Sequence, residues 1–446
     1  MVLDVKSLRL LDESLALLEK SFVGMPAFAG EIDLESMRQV LVRAAERMQD
    51  NYPYSHPLYA GQMLKPPHPV ARLAYMLALW VNPNNHALDG GRASSAMEKE
   101  AVARIATMLG WEDQHLGHLS SGGTMANLEA LWVADRLHPG RKVVASQQAH
   151  YTHARISHVL KVPFASVPID ARARMDLVAL ESLLQSGTVG TVIATLGTTG
   201  VGSVDPLPGI RALQEKYGFR IHVDAAYGGY HRLATNLADD ARAAFDCIDC
   251  ADSIVVDPHK CGLQPYGCGC IVFRDPSVGA IYNHESPYTY FSSDELHLGE
   301  ISLECSRPGA AAVALWTTQQ LLPMQPGGAF ARDIEKSRRA ALELHALAQA
   351  DTDELELFAP ELDIVVWAPR AATASAISTL SQEAFDNAAR QHLHLALMKL
   401  PSSLLKDCWP AVHFDQNEVT CLRSCLMKPE HLDWVERIWS IYKSVR

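Results

Sequence analysis

Ser253-Ile-Val-Val-Asp-Pro-His-Lys260 is the stretch on which the reading of this chain turns. Val255 and Val256 belong to a short β-branched run that reads as a buried strand, and Pro258 has no N–H with which to continue a ladder. Lys260 therefore falls at a strand's carboxyl end, where open α/β sheets bind their ligands. A lysine held there, beside the His259 imidazole and partly desolvated, is expected to lose its proton and attack a carbonyl to form a Schiff base. The plain alternative is a solvated surface lysine, and the residues upstream decide between the two.

Outward from that stretch, short β-branched runs recur at Lys142–Ser146, Thr191–Leu196, Arg220–Asp224 and Gly269–Phe273. Helical patterns at Asp176–Gln185 and Leu207–Tyr217 separate several of them. This alternation predicts an α/β fold with a mostly parallel sheet covered on both faces. No helix fits between Ser253–Val256 and Gly269–Phe273, so those two strands are expected to pair antiparallel. The strand ends converge on one crevice: Ser146 leads to His150, Gly197-Thr-Thr199 ends the next run, Asp224-Ala-Ala226 the third, and Asp257 to Lys260 the fourth.

A further element belongs to that crevice. His118-Leu-Ser-Ser-Gly-Gly-Thr124 runs straight into the helical pattern that starts at Met125. Gly122 and Gly123 permit close backbone approach, and the free N–H groups of a helix start, with the Thr124 hydroxyl, favour a dianionic phosphate. Ordinary helix starts also carry glycine and threonine, so this signal gains weight only from its neighbours. Upstream, Ser95 stands three residues before Glu98, the capping-box spacing, and predicts a helix from Ala96 to Leu109 that stops at Gly110.

Residues 1 to 50 repeat apolar positions at helical spacing (Leu8, Leu11, Leu15, Leu18), as helices that pack on something else do. Tyr52 to Gln62 then interposes two prolines and three tyrosines, a pocket wall or a proline-stiffened connector. Past Pro323-Met-Gln-Pro-Gly-Gly328 come a long helix over Ala329–Ala350, strands at Asp363–Trp367 and Val419–Cys425, and a C-terminal helix. The chain divides accordingly into an N-terminal helical segment (1–80), a large domain (81–322) and a smaller α+β domain (323–446).

Composition narrows the function classes. The 446 residues are 48% hydrophobic and 20% charged, as in an ordinary globular protein. A net charge of −12 argues against nucleic acid and anionic membrane partners. No uninterrupted apolar run is long enough to span a membrane, and the N-terminus lacks a signal core, so a cytoplasmic protein is expected. Of nine cysteines, Cys247 and Cys250 have the spacing of a metal pair, but no second pair follows; reduced, mostly buried thiols and no metal are expected.

A phosphate cradle, an imidazole, hydroxyls, a carboxylate and a lysine in one crevice suit a cofactor with an aldehyde, a phosphate and a pyridine nitrogen. Lys260 would take the aldehyde, Gly122 to Thr124 the phosphate, and Asp224 would keep the ring nitrogen protonated as an electron sink. Ala226 offers a small flat surface to one ring face, and His150 stands ready to stack on the other.

In matching order, Gln148-Ala-His150, Ala194-Thr-Leu-Gly-Thr-Thr199, His222-Val-Asp-Ala-Ala-Tyr227 and Asp257-Pro-His-Lys260 resemble the group II pyridoxal-phosphate-dependent amino-acid decarboxylases, which include the aromatic amino acid, tyrosine, glutamate and histidine enzymes. The resemblance spans about residues 50–430. It implies the type I, aspartate-aminotransferase-like fold, pyridoxal 5'-phosphate as cofactor, and a homodimer with active sites shared between subunits. It also implies roles: Lys260 as the Schiff-base lysine, Asp224 on the ring nitrogen, His150 on the ring, and Ser121 to Thr124 with His259 on the phosphate. Thr199, Ala226 and Asp257 then belong to the cofactor's surroundings, and Ser306, beside Arg307, to a segment that reaches the partner's phosphate.

In Ser286-Pro-Tyr-Thr-Tyr-Phe291, Tyr288 or Tyr290 matches the tyrosine that returns a proton to the substrate α-carbon. Arg423 matches an arginine of the family's last strand that binds a substrate carboxylate, and Tyr59 and Gln62 lie in an aromatic entry region with a weak preference for an aromatic substrate. An acidic substrate, and the aminotransferase, carbon–carbon lyase, aldehyde-forming and non-catalytic readings, remain as alternatives, because these enzymes differ only in which α-carbon bond is aligned and what reprotonates it.

Overall fold

The computed structural model describes residues 5–26, 30, 33–112, 114–282 and 296–446; Tyr288 and Tyr290 lie outside them. A seven-stranded sheet forms the centre of the fold: β1 (Leu116–Ser120), β2 (Lys142–Ser146), β3 (Phe164–Val167), β4 (Val189–Thr195), β5 (Arg220–Asp224), β6 (Ser253–Val256) and β7 (Gly269–Phe273). Their order is β1-β7-β6-β5-β4-β2-β3. The run from β6 to β3 is parallel, whereas β7 pairs antiparallel with both β6 and β1.

The predicted strands appear within two residues of their expected limits, and the antiparallel pairing of β6 with β7 is as expected. β4 is buried along its whole length, which is why it reads as a continuous apolar run. β1 and β3 have no such signature. β1 carries Gly117 and His118, and its register comes from β7, with His118 held by Glu129 at 3.0 Å inside the core.

The capping box expected at Ser95 and Glu98 does not form. The helix runs over Arg92–Met108 with Gly91 as its N-cap, so both residues lie inside it and are buried. Glu98 is instead an ion-pair partner: its carboxylate stands 3.1 Å from the buried Arg307 guanidinium and accepts the Leu119 N–H and the Asn85 amide. A buried pair between residues 98 and 307 leaves no trace in local spacing. The C-terminal end near Gly110, which has φ +95°, is as read.

A second, four-stranded antiparallel sheet is built from β8 (Glu354–Glu356), β9 (Ile364–Pro369), β10 (Ala396–Pro401) and β11 (Glu418–Cys425), in the order β10-β11-β9-β8. The helices Ala329–Ala350, Ala374–Arg390 and Val435–Val445 pack on it, with Trp367 fully buried against Tyr442. Tyr52 to Gln62 is tied to this sheet: the Ala60 N–H donates to the His394 carbonyl at 2.9 Å, and the Cys425 N–H to that of Ala60.

Two N-terminal helices, Val5–Glu19 and Leu34–Met48, stand apart from both cores. The first lies against the helix Pro69–Leu79; the second buries none of its residues. Leu34, Met37, Leu41 and Met48 present an apolar face to solvent.

Candidate active site

The carboxyl ends of β4, β5 and β6 open into a cavity of about 350 Å³ together with the start of the helix Gly123–Leu137. Pro258 ends β6, and the turn after it is closed by two hydrogen bonds: the Lys260 N–H to the Asp257 carbonyl at 2.9 Å, and the His259 N–H to the Cys268 carbonyl at 3.1 Å. Lys260 is thereby turned into the cavity rather than out to solvent. Its Nζ lies 3.1 Å from Asp257 Oδ2.

That lysine is not a free amine waiting for a carbonyl. Burial alone lowers its pKa, but the carboxylates of Asp257 and, behind it, Asp224 outweigh burial and raise it above 10.5. Its nearest charged neighbour is the Asp257 carboxylate rather than the His259 imidazole, so the proton must leave against that pairing.

Asp224 ends β5 and is buried. Burial raises its pKa, yet the hydrogen bond from His153, the charge of Lys260 and the Ala226 N–H hold it well below the ordinary carboxylate range. It is ionised at any physiological pH. His150 lines the same wall, its Nδ1 2.8 Å from Thr152 Oγ1, and burial lowers its pKa so that the ring is neutral. His259 Nδ1 is 2.8 Å from the Cys268 carbonyl oxygen, and burial lowers its pKa as well.

The floor nearest the lysine is glycine by necessity. Gly122 adopts φ +154°, and a Cβ on Gly123 would meet Asp257 Oδ2 at 2.7 Å. The helix that begins there has no side-chain cap, so its first N–H groups face the cavity without a competing side chain. The Ser121 N–H donates to Glu304 Oε2 at 2.9 Å.

Of the residues singled out in the sequence, Ser121 to Thr124, His150, Thr199, Asp224, Ala226, Asp257, His259 and Lys260 share this one cavity. Ser306, Tyr59, Gln62 and Arg423 do not line it. Ser306 is exposed and accepts the Asn84 amide at 3.3 Å. Tyr59 is buried among Tyr52, Tyr54 and His394. Arg423 stands one layer back: its guanidinium donates to the Thr199 carbonyl at 2.8 Å and to Gln62 Oε1 at 3.3 Å.

Sequence reading missed Thr195, Tyr266 and His153. Thr195 ends β4 as Asp224 ends β5, a position the strand pattern already marked. Tyr266 follows Lys260 by six residues in a glycine- and proline-rich turn and lies with its ring centroid 4.8 Å from that of His259. His153 stands three residues after His150, the spacing that puts both on one side of a helix start.

A lysine, an ionised carboxylate, a glycine cradle and two imidazoles define a site for an aldehyde-bearing, anionic, aromatic cofactor, and place the molecule in the class of type I fold pyridoxal-phosphate enzymes. The model of the pyridoxal-dependent decarboxylase conserved domain matches residues 33–368. The chain belongs to the pyridoxal-dependent decarboxylase family, and it is a pyridoxal-phosphate-dependent amino-acid decarboxylase.

Among its relatives, the L-tyrosine decarboxylase of Enterococcus faecium is 27% identical over 79% of this chain and 76% of that protein. A probable L-tyrosine/L-aspartate decarboxylase of Methanopyrus kandleri is 30% identical (60% and 71%), and the L-aspartate decarboxylase of Thermococcus kodakarensis 29% (63% and 72%). Oryza sativa TDC, solved with PLP and tryptamine, superposes with a TM-score of 0.78 at 17% identity over 100% of this chain and 99% of that one. Mouse CSAD does so at 0.76 and 19%, over 95% and 91%.

The residues fit the cofactor that the family uses. The cavity holds one amine, and two buried oxygens in its wall, Thr195 Oγ1 and Asp257 Oδ1, have no hydrogen-bond partner among the described residues. Unpaired buried oxygens of this kind are costly unless a ligand or water meets them.

Proposed function

We propose that the chain decarboxylates an L-amino acid with an aromatic side chain, releasing CO2 and the corresponding amine. The observation that carries the choice of substrate is the charge of the cavity wall. Among the described residues that line it, Lys260 is the only lysine or arginine, and Tyr227 and Tyr266 are aromatic. A second carboxylate on the substrate would be desolvated there without a cation of its own, which is costly.

Lys260 would hold the aldehyde carbon of pyridoxal 5'-phosphate, Asp224 its ring nitrogen, and the backbone of Gly122 to Thr124 with His259 its phosphate. When bound, that cofactor supplies a conjugated ring that takes up the electron pair left as the bond between the α-carbon and the carboxylate breaks. Asp224 stays ionised and so favours a proton on the nitrogen it faces. His150, neutral and beside the cavity, offers a flat ring against which the cofactor plane is kept in register. Ser306 is assigned to the phosphate of a partner subunit. Delivery of a proton to the α-carbon is assigned to Tyr288 or Tyr290; this proton is what makes the product an amine rather than an aldehyde.

Arg423 favours a second reading, an acidic substrate. It is only 5% exposed, its Nε has no partner among the described residues, and it holds the carbonyl of cavity-lining Thr199. Reaching a substrate carboxylate would require it to release Gln62. Names among the relatives include both L-tyrosine and L-aspartate.

The working unit is a homodimer in the cytoplasm. The apolar face of Leu34–Met48, which no described residue covers, supports a second copy there, and the nine free cysteines are in keeping with a reducing compartment. Among the described residues no helix is long and apolar enough to cross a membrane.

Measuring CO2 release from each of the twenty amino acids with added pyridoxal 5'-phosphate tests the substrate. Tyrosine, tryptophan or phenylalanine should lead. Aspartate or glutamate in first place would overturn the aromatic reading in favour of the acidic one.

A further inference from the structure

The helix Thr152–Leu160 begins just past His150, and its second residue, His153, reaches Asp224 at the end of β5. His153 Nε2 lies 2.8 Å from Asp224 Oδ2. The side chain is fully buried, and its other ring nitrogen, Nδ1, is buried with no hydrogen-bond partner among the described residues. Asp224 Oδ1, for its part, accepts the Ala226 N–H at 3.1 Å.

We propose that His153 is a positioning residue for Asp224: a neutral imidazole whose Nε2–H holds one carboxylate oxygen, so that Asp224 keeps its full negative charge and one fixed orientation toward the cofactor's ring nitrogen. This rests on the cofactor reading above.

The protonation state follows from the partners. A proton on Nδ1 alone would set two lone pairs against each other at 2.8 Å and bury an N–H with no acceptor. An imidazolium would bury the same unmatched N–H and add a charge. Only the Nε2–H form matches every buried N–H with an acceptor.

Neutrality matters as much as the bond. Asp224 must balance a positive charge on the ring nitrogen, and an imidazolium alongside would already have neutralised it. The other titratable groups around Asp224 are Lys260 on the turn after β6, His150 at the start of the helix, and His222 two residues earlier on β5. His222 is neutral, its pKa driven down to about 3 by burial, and its ring nitrogens are engaged by Ser253 at 2.8 Å and Asn127 at 2.7 Å. His150 bonds Thr152, and Lys260 bonds Asp257. Of the side chains around it, His153 alone makes a hydrogen bond to Asp224 among the described residues.

The test compares the wild type with His153→Phe and His153→Gln. It measures the dissociation constant of pyridoxal 5'-phosphate, the 15N resonance of ring-labelled cofactor in the holoprotein, and kcat against KM. A hydrogen bond to a charged group is worth enough that His153→Phe should weaken cofactor binding about tenfold. It should also move the ring resonance toward the unprotonated position and lower kcat with little change in KM. His153→Gln retains a neutral N–H donor and should stay within about twofold of the wild type on the same scale.

Wild-type values for His153→Phe, or a His153→Gln protein as impaired as His153→Phe, would overturn the proposal. Should the buried substitutions prevent folding, histidine 15N spectra of the wild-type holoprotein decide it alone: a proton on His153 Nε2 and none on Nδ1 supports it, and any other state overturns it. Wild-type protein that forms no Lys260-dependent visible band would fail the cofactor reading itself, and this inference with it, which a changed His153 variant in an otherwise normal holoprotein would not do.

Discussion

Lys260 Nζ and Asp257 Oδ2 form an ion pair across one turn of backbone, 3.1 Å apart, on the amine proposed to capture the cofactor. The carboxylate that holds the lysine in place also keeps it protonated, so the two demands on Lys260 oppose each other.

Capture of pyridoxal 5'-phosphate by the apoprotein is therefore expected to accelerate with rising pH. Asp257→Asn removes the nearest negative charge that raises the pKa and should shift the capture profile to lower pH, by about one unit or more for a partner at this distance. Because the folded pKa is raised, the pair's contribution to stability is complete below 10.5 and is lost as pH climbs through the folded value. Stopped-flow absorbance of the visible band follows capture, Lys260→Ala is the blank, and an Asp257→Asn profile that coincides with the wild type would contradict the pairing.

Gly123→Ala is expected to damage the cofactor site while leaving the fold largely intact. The new Cβ would sit 2.7 Å from Asp257 Oδ2, so Asp257 or the helix start must shift. A forced shift of this kind costs about 1–3 kcal/mol. Cofactor affinity should fall by at least about tenfold on that basis, measured by equilibrium dialysis, with far-ultraviolet circular dichroism unchanged.

Glu98→Ala should be among the most destabilising substitutions away from the cofactor. It strips Arg307, 6% exposed, of its counter-ion and leaves the Leu119 N–H without its acceptor. Removing one partner of a buried pair costs about 3–5 kcal/mol. The urea midpoint of the holoprotein reports it, and a loss under about 1 kcal/mol would show that the remaining partners, His118 and the Leu119 carbonyl, suffice for Arg307.

Substituting Leu34 and Leu41 together with glutamate should convert the protein to monomer and abolish decarboxylation. Both are more than half exposed, on a helix with no buried residue among the described ones. Sedimentation velocity and CO2 release from the same sample check this; an active, unchanged dimer would mean that this face serves no subunit contact.

How much of the site could be read in advance depended on the reach of each contact. Lys260, Asp224 and Thr199 follow strands whose β-branched runs are visible over four or five residues, so their common location at strand ends was legible. Glu98 was misread because its spacing to Ser95 is local while its real partner, Arg307, is more than two hundred residues away. His153 was overlooked for a like reason: its spacing to His150 is local, while the carboxylate it meets on β5 is 71 residues away.

Amino-acid order alone determined the parallel sheet, the crevice at its carboxyl edge and the chemistry of a lysine, a carboxylate and a glycine-rich helix start, because periodicity and turn residues act over a few positions. Tertiary structure decided what those groups experience. Burial lowers the pKa of His150, whereas Asp257 raises that of Lys260 against burial, and His153 keeps Asp224 charged where burial alone would neutralise it. Proton affinities depend on the dielectric and on charges within a few ångströms, and those distances exist only once strands distant in sequence lie side by side.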